Sequence, residues 1–195
     1  MNTIEKNLKS DIYYPPGGIL IWIILFVEVF SFLMATGSLM YYRTQDTEMF
    51  SAFQSSLDLR LGTLNTIVLI TSGFFIANAV ESLKQNLHKK ANLYLTLSII
   101  LGILFLVFKS VEYYHKIELG LTLRTNIFYT YYWLVTGFHF IHVLIGIIFL
   151  LFMKYHVSHK NYNADDMLDV ESSATFWHMC DLIWIIIFPV FYLLN

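Results

Sequence analysis

Five long runs of apolar residues with almost no formal charge constrain this chain more than any other feature of its sequence. A hydrocarbon core about 30 Å thick needs roughly 20 apolar residues in helical form, and each run is close to or above that length. A backbone inside lipid must satisfy its hydrogen bonds within its own segment, so such runs form helices rather than open strands. The sequence therefore predicts an all-α integral membrane protein.

The predicted architecture is a bundle of five transmembrane helices in a single membrane domain covering residues 1–195, with a polar N-terminal segment at 1–18. The predicted spans lie near residues 19–42, 61–83, 91–113, 125–153 and 172–194. Residues 15–18 (Pro-Pro-Gly-Gly) predict a turn just before the first span, because proline and glycine end regular helix. The first run is too long for a signal-peptide core, so we interpret it as a retained span.

Composition excludes several classes of protein. Apolar residues make up 57% of the chain and charged residues 13%, against about 45–50% and about 25% in soluble domains. Cys180 is the single cysteine, so no internal disulfide forms, and the net charge of −2 argues against nucleic acid as a partner. A secreted disulfide scaffold, a nucleic-acid binder and an ordinary cytosolic enzyme are excluded.

The distribution of lysine and arginine predicts the orientation of the spans. Seven of these residues fall on the side of the N-terminus and four on the opposite side, with Lys109 inside or at the end of the third span. Cytoplasmic loops carry an excess of lysine and arginine. We therefore predict that the N-terminus lies in the cytoplasm and the C-terminus outside.

A few ionisable residues interrupt the apolar runs near the middle of the membrane. Glu28 and Asp181 are each the tenth residue of a span that enters from the cytoplasmic side, which places them about 15 Å deep at 1.5 Å per residue. His142 reaches about the same depth in the antiparallel fourth span. Charged side chains at this depth are costly and normally face partners inside the bundle. These residues predict a polar layer near the midplane.

Two pairs with three-residue spacing contribute to this layer. His139 and His142 share a helix face with Gly146, and His178 and Asp181 repeat the spacing in the last span. One hypothesis is a metal or haem site, because imidazoles and carboxylates ligate first-row metals. The favoured hypothesis is an inter-helix hydrogen-bond network that fixes packing, since His-x-x-His in one membrane helix is weak evidence for a metal. We expect no metal and no catalytic residue in this chain.

Two interpretations of Glu28 stay open on the residues alone. The side chain is either a protonatable group on a proton or gas path, or a neutral glutamic acid that positions the first helix. A second carboxylate, Glu112, stands three residues after Lys109 and predicts a structural ion pair near the outer end of the third span.

Other side chains at the ends of the spans suggest contacts with the membrane interface. The aromatic clusters at residues 113–114 and 129–133 predict interfacial belts rather than cofactor sites. Lys154 stands near the cytoplasmic end of the fourth span, where a long cationic side chain can reach the headgroup region. We predict that Lys154 contacts a lipid headgroup.

Five strings in chain order carry a resemblance to a known family. The first and second spans hold IWIILFVEVFSF and LGTLNTIVLITSG, and VEYYHKIELG ends the third. The fourth and fifth spans hold VTGFHFIHVLIG and FWHMCDLIWIIIFPVFYL. Together, over residues 17–194, these strings resemble subunit III of the haem-copper terminal oxidases.

The resemblance implies a non-catalytic subunit of a proton-pumping respiratory oxidase of the cytochrome c oxidase type, in a bacterial cytoplasmic membrane. Its partners would be oxidase subunits I and II, with haem and copper in subunit I and no cofactor bound by this chain itself. Subunit III of this family holds phospholipids in a cleft, helps to sustain proton uptake by subunit I, and has been proposed to lie on an oxygen route.

The resemblance also assigns roles to individual residues. Glu28 matches the family's membrane-buried carboxylate in this helix, which favours a role near lipid, proton or oxygen traffic. His139 and His142 match the fourth-helix histidines, and His178 and Asp181 match the pair of the closing helix.

Longer members of the family have seven helices, two of which precede the five predicted here and form one wall of the lipid cleft. We therefore expect the five-helix form, in which another subunit would have to supply that wall. A quinol oxidase subunit III and an accessory protein of nitric oxide reductases remain as alternatives, although glutamate at position 28 favours the cytochrome c oxidase type. A stand-alone transporter or proton channel is disfavoured, because no span has an internal Gly-Pro interruption and no inverted repeat is present.

Overall fold

The computed structural model describes residues 15–158 and 167–194, so most of the predicted polar N-terminal segment, residues 1–14, lies outside it. The helices are α1 (Gly18–Gln45), α2 (Thr47–Gln54), α3 (Leu59–Lys84), α4 (His88–Glu118), α5 (Ile127–Tyr131), α6 (Gly137–Ser158) and α7 (Leu168–Tyr192), and a π-helical turn (Tyr132–Thr136) joins α5 to α6. Helices α1, α3, α4, α7 and the continuous α5–α6 helix are long and apolar enough to cross a membrane. The prediction of five spanning helices in an all-α fold is confirmed.

The predicted turn at residues 15–18 sets the start of α1. Gly17 and Gly18 have φ values of 79° and 84°, a left-handed conformation that glycine adopts readily. A Cβ atom on Gly17 would lie 2.9 Å from the backbone nitrogen of Ser172 in α7. The Gly17 N–H donates to the Glu171 carboxylate (3.3 Å), and the Ser172 hydroxyl donates to the Gly17 carbonyl (2.8 Å). Helices α1 and α7 therefore start side by side.

Short polar side chains begin the helices at the opposite end of the bundle. Asp46, Asp58 and Asn126 each accept hydrogen bonds from backbone N–H groups in the first turn of α2, α3 and α5. These bonds satisfy donors that a helix leaves unpaired at its N-terminus. The sequence analysis missed α2, because an eight-residue helix lies far below the length of a span.

Helix α7 lies at the centre of the bundle and packs against α1, α3 and α6. Its Trp177 side chain is fully buried where α4 and α6 both carry glycine. A Cβ atom on Gly102 would lie 2.6 Å from a ring atom of Trp177, and one on Gly146 would lie 2.8 Å away. Small residues at a membrane-helix interface allow this close approach. The indole therefore fills the space that the two glycines leave.

The last three spans extend beyond the predicted residues. The third runs from His88 to Glu118 rather than 91–113, the fourth continues to Ser158 rather than 153, and the fifth begins at Leu168 rather than 172. The extensions of the fourth and fifth contain charged residues, Lys154 and Asp169, which stopped the apolar runs in the sequence. A helix continues past the apolar core because charged side chains at its end reach the headgroup region.

Candidate functional site

The Glu28 side chain on α1 contacts His142 on α6. The Oε2 atom of Glu28 lies 3.3 Å from Nε2 of His142, and the side chains are 25% and 9% exposed. The carboxyl group thus lies at the edge of the bundle, with its partner inside. Phe32 and Phe138 pack around the imidazole with ring centroids 5.8 Å and 4.5 Å away. This pair is an ionisable contact in an apolar setting.

A hydrogen bond to the backbone sets the tautomer of His142. Nδ1 of His142 lies 2.8 Å from the carbonyl oxygen of Phe138, which can only accept, so Nδ1 carries a hydrogen. In the neutral imidazole, Nε2 is then an acceptor that faces the Glu28 carboxyl group. This arrangement allows the two side chains to share a proton.

The second predicted pair lies on α7, against α3. Nδ1 of His178 is 3.4 Å from Oδ2 of Asp181, and the imidazole is 46% exposed while the carboxylate is 11% exposed. Asp181 Oδ2 occupies the space that a Cβ atom on Gly73 would need. Only glycine at position 73 lets the carboxylate pack on the α3 backbone.

His139 joins neither pair. Its side chain is fully buried, stacks on Trp184 with ring centroids 5.2 Å apart, and meets the edge of Phe105 at 5.8 Å. Neither ring nitrogen has a hydrogen-bond partner within the described part of the chain. The four residues of the predicted network therefore do not form one network. His142 pairs with Glu28, His178 pairs with Asp181, and His139 stands apart.

A third ionisable cluster, at the opposite end of the bundle, includes residues that the sequence analysis did not select. Lys109 donates to Oε2 of Glu112 (3.0 Å) and to the Tyr192 hydroxyl (2.8 Å). The hydroxyls of Tyr132 and Tyr192 both donate to Oε1 of Glu112, at 2.7 Å and 2.6 Å. Lys109 and Glu112 are only 1% and 3% exposed. We call these four residues the Lys109 cluster; it joins α4, the π-helical turn and α7.

The predicted aromatic belt at residues 129–133 is wrong for two of its members. Tyr129 and Tyr132 are fully buried, and their hydroxyls bond to Ser56 and Glu112. The pattern misled because tyrosine prefers the membrane interface and also suits a buried position when its hydroxyl has a partner. Tyr114 is 62% exposed, as expected of a belt residue.

The remaining site predictions concern Lys154 and metals. Lys154 lies on the last turns of α6, half-buried and away from both histidine pairs. Within residues 15–158 and 167–194, no group of three or more His, Cys, Asp and Glu side chains is placed to hold a metal ion. The lipid contact of Lys154 stays a prediction, and so does the expectation that this chain binds no metal.

The comparison with known proteins identifies the family. The family model described as cytochrome c oxidase subunit III matches residues 17–195. The chain belongs to the cytochrome c oxidase subunit III family. The matched range contains both histidine–carboxylate pairs, His139 and the Lys109 cluster. The resemblance that the five sequence strings carry is confirmed, and the chain is a multi-pass membrane protein.

Three relatives named cytochrome c oxidase subunit 3 illustrate the similarity. The protein of Synechocystis sp. (strain ATCC 27184 / PCC 6803 / Kazusa) is 32% identical over 139 residues, covering 71% of this chain and 58% of the relative. That of Thermostichus vulcanus is 32% identical over 142 residues, covering 72% and 69%. That of Aedes aegypti is 32% identical over 145 residues, covering 74% and 52%. The chain thus spans little more than half the length of several subunit III relatives.

Proposed function

We propose that this chain is a non-catalytic subunit III of a haem-copper oxidase of the cytochrome c oxidase type. The family match over residues 17–195 carries this proposal. The partners are oxidase subunits I and II, and haem and copper lie in subunit I. In this proposal the chain itself contributes no redox centre.

The Glu28–His142 pair is the part of this chain with the right chemistry to influence proton traffic. Its imidazole and carboxyl group lie close enough to share a proton, and the carboxyl group reaches the bundle edge. A carboxyl–imidazole pair can pass that proton between its members without a change in net charge. Glu28 therefore supports proton supply to the neighbouring catalytic subunit, and this role extends the family's buried carboxylate to this chain.

Phospholipid is the expected non-protein ligand. A groove at the cytoplasmic end of α1, α6 and α7 combines an apolar wall with polar side chains. It is lined by Ile21, Phe149, Phe152, Met153, His156, Asp169, Ser172 and Ser173. Lys154 follows directly on the same turn of α6 as Met153, so its ammonium group is available to a phosphate at the headgroup level.

The orientation follows from the charged residues at the two ends of the bundle. Lys84, Lys89, Lys90 and Lys154 lie at one end, which we assign to the cytoplasm of a bacterium. A C-terminal alkaline-phosphatase fusion is then active, because that terminus is outside. An inactive phosphatase together with an active cytoplasmic reporter at the same position would reverse the orientation.

The proposed function is tested by purification in mild detergent through a tag on this chain, followed by a visible spectrum and identification of the co-purified proteins. We expect a haem- and copper-bearing subunit I and a subunit II. A co-purified nitric oxide reductase would favour the accessory-protein alternative, and oxidation of quinol but not cytochrome c would favour the quinol oxidase form. A colourless homo-oligomer would contradict all three.

A further inference from the structure

Four residues from four helices form one layer across the centre of the bundle. Ser72 and Ser98 hydrogen-bond hydroxyl to hydroxyl at 2.7 Å and fix the antiparallel register of α3 and α4. Continuing this antiparallel register by seven residues, or two turns, in each helix brings Asn65 on α3 to the level of Phe105 on α4. Phe105 in turn meets both Trp184 of α7 (5.0 Å) and His139 of α6 (5.8 Å).

A hydrogen bond places Asn65 at the level of Trp184 independently of that register. The Trp184 indole N–H donates to the hydroxyl of Thr66, the residue next to Asn65, at 2.9 Å. The Trp184 ring also stacks on His139. Two separate sets of contacts therefore bring Asn65 and His139 into the same layer.

Both polar side chains of this layer are fully buried and lack protein partners. Asn65 and His139 have 0% exposure. The amide oxygen and nitrogen of Asn65 and both ring nitrogens of His139 have no hydrogen-bond partner in the described ranges of the chain. Four polar atoms in the interior of a membrane bundle are thus left with their hydrogen-bonding capacity unused.

The surrounding aromatic rings cannot provide all the hydrogen bonds that these four atoms lack. A ring face can receive an N–H, so Phe105 or Phe32 can weakly satisfy one donor of His139. A neutral imidazole also carries an acceptor nitrogen, and the Asn65 amide presents two donors and an acceptor oxygen. Aromatic rings donate no strong hydrogen bond to these acceptors. The layer requires a ligand that both donates and accepts.

We propose that Asn65 and His139 each bind an internal water molecule at the level of this layer. Water is the smallest molecule that donates and accepts together, and buried polar groups without protein partners are commonly satisfied by it. The site lies between the two other ionisable features. His139 is one turn from His142 on α6, and Lys109 Nζ lies 5.3 Å from the centroid of the Trp184 ring. Bound water thus occupies the layer between the Glu28–His142 pair and the Lys109 cluster.

X-ray radiolysis with mass spectrometry tests this site on the complex purified through this chain. Hydroxyl radicals formed from bound water oxidise the nearest side chains, whether or not bulk solvent reaches them. Phe105 and Phe191 are both fully buried, and the polar atoms around Phe191 in the Lys109 cluster are partnered with each other. We expect Phe105 and Trp184 to be labelled several-fold faster than Phe191. Equal labelling of Phe105, Trp184 and Phe191 would overturn the proposal.

Substitution of Asn65 tests whether this residue binds the water. Asn65→Leu removes the amide and should reduce labelling at Phe105 relative to the wild type. Asn78→Leu, on the same helix, is the matched control, because its amide donates to the Phe74 carbonyl in its own helix and lies outside the layer. It should leave labelling at Phe105 unchanged. Undiminished labelling in Asn65→Leu would contradict the assignment to Asn65, and the wild-type comparison decides the proposal if this variant fails to assemble.

Discussion

At the scale of single residues, two of the ionisable sites described above differ in kind. The Glu28 and His142 side chains lie close enough to share a proton, and the carboxyl group reaches the bundle edge, so it can respond to its surroundings. The Lys109–Glu112 pair is enclosed by tyrosine hydroxyls that satisfy the carboxylate. The first arrangement suits proton exchange, and the second suits a fixed contact between helices.

Glu28→Gln separates the protonic role of this carboxyl group from its packing. Glutamine keeps the size and a hydrogen bond to His142 but cannot ionise. We expect normal assembly and normal haem spectra, with severalfold fewer turnovers before inactivation or slower proton uptake by the complex. Oxygen consumption and proton uptake of the purified complex measure this. Glu81→Gln, an exposed glutamate on α3 paired with Gln85, is the control and should behave as wild type.

Lys109→Met tests whether the buried ion pair is structural. Methionine leaves Glu112 as an uncompensated buried carboxylate, and breaking a buried pair in this way costs about 3–5 kcal/mol. Thermal unfolding of the purified complex should show the loss. Adding Glu112→Gln to Lys109→Met should recover most of it, because the unpaired charge is then gone. Equal stability of the wild type and Lys109→Met would show that the pair contributes nothing to stability.

At the scale of helices, close packing in this bundle is arranged around α7. Glycines on neighbouring helices receive its large or polar side chains: Gly102 and Gly146 receive Trp177, and Gly73 receives Asp181. Helix α1 contributes less to this core. In its most apolar stretch 11% of the residues are buried, against 56% in that of α7. The outer face of α1 is therefore left to lipid or to another subunit.

Gly73→Ala tests the contact between α3 and α7. The added methyl group overlaps Asp181 Oδ2, and overpacking of this kind typically costs about 1–3 kcal/mol. Gly37→Ala in α1 is the matched control, because no atom lies within 4 Å of the new Cβ and alanine favours helix by about 0.5–1 kcal/mol. Thermal unfolding should show opposite signs for the two variants. A stabilised Gly73→Ala would contradict the packing described for Asp181.

The five spans and the family were predictable from the sequence because length, apolarity and short motifs are local properties. The contacts that side chains make with other helices were not predictable in the same way. The three-residue spacing suggested that His139 and His142 act together, yet His142 turns to Glu28 while His139 faces Trp184. The π-helical turn at 132–136 changes which faces of the fourth span point inward. Tyr132 therefore meets Glu112 instead of the membrane interface, and apolar periodicity carries no signal for that change.

At the scale of the whole molecule, the described residues form a bundle with ionisable groups at three depths. The Glu28–His142 pair, the Asn65–His139 layer and the Lys109 cluster follow one another across the bundle. We propose that this chain sustains the activity of a partner oxidase without taking part in its redox chemistry.

The most direct test compares the purified oxidase with and without this chain. Oxygen consumption is followed over many turnovers in the intact complex, in the complex depleted of this chain, and after the chain is added back. We expect depletion to leave the haem and copper spectra and the initial rate largely intact, to shorten the active lifetime, and to be reversed by addition. An unchanged lifetime, or loss of the metal spectra with this chain, would contradict the claim.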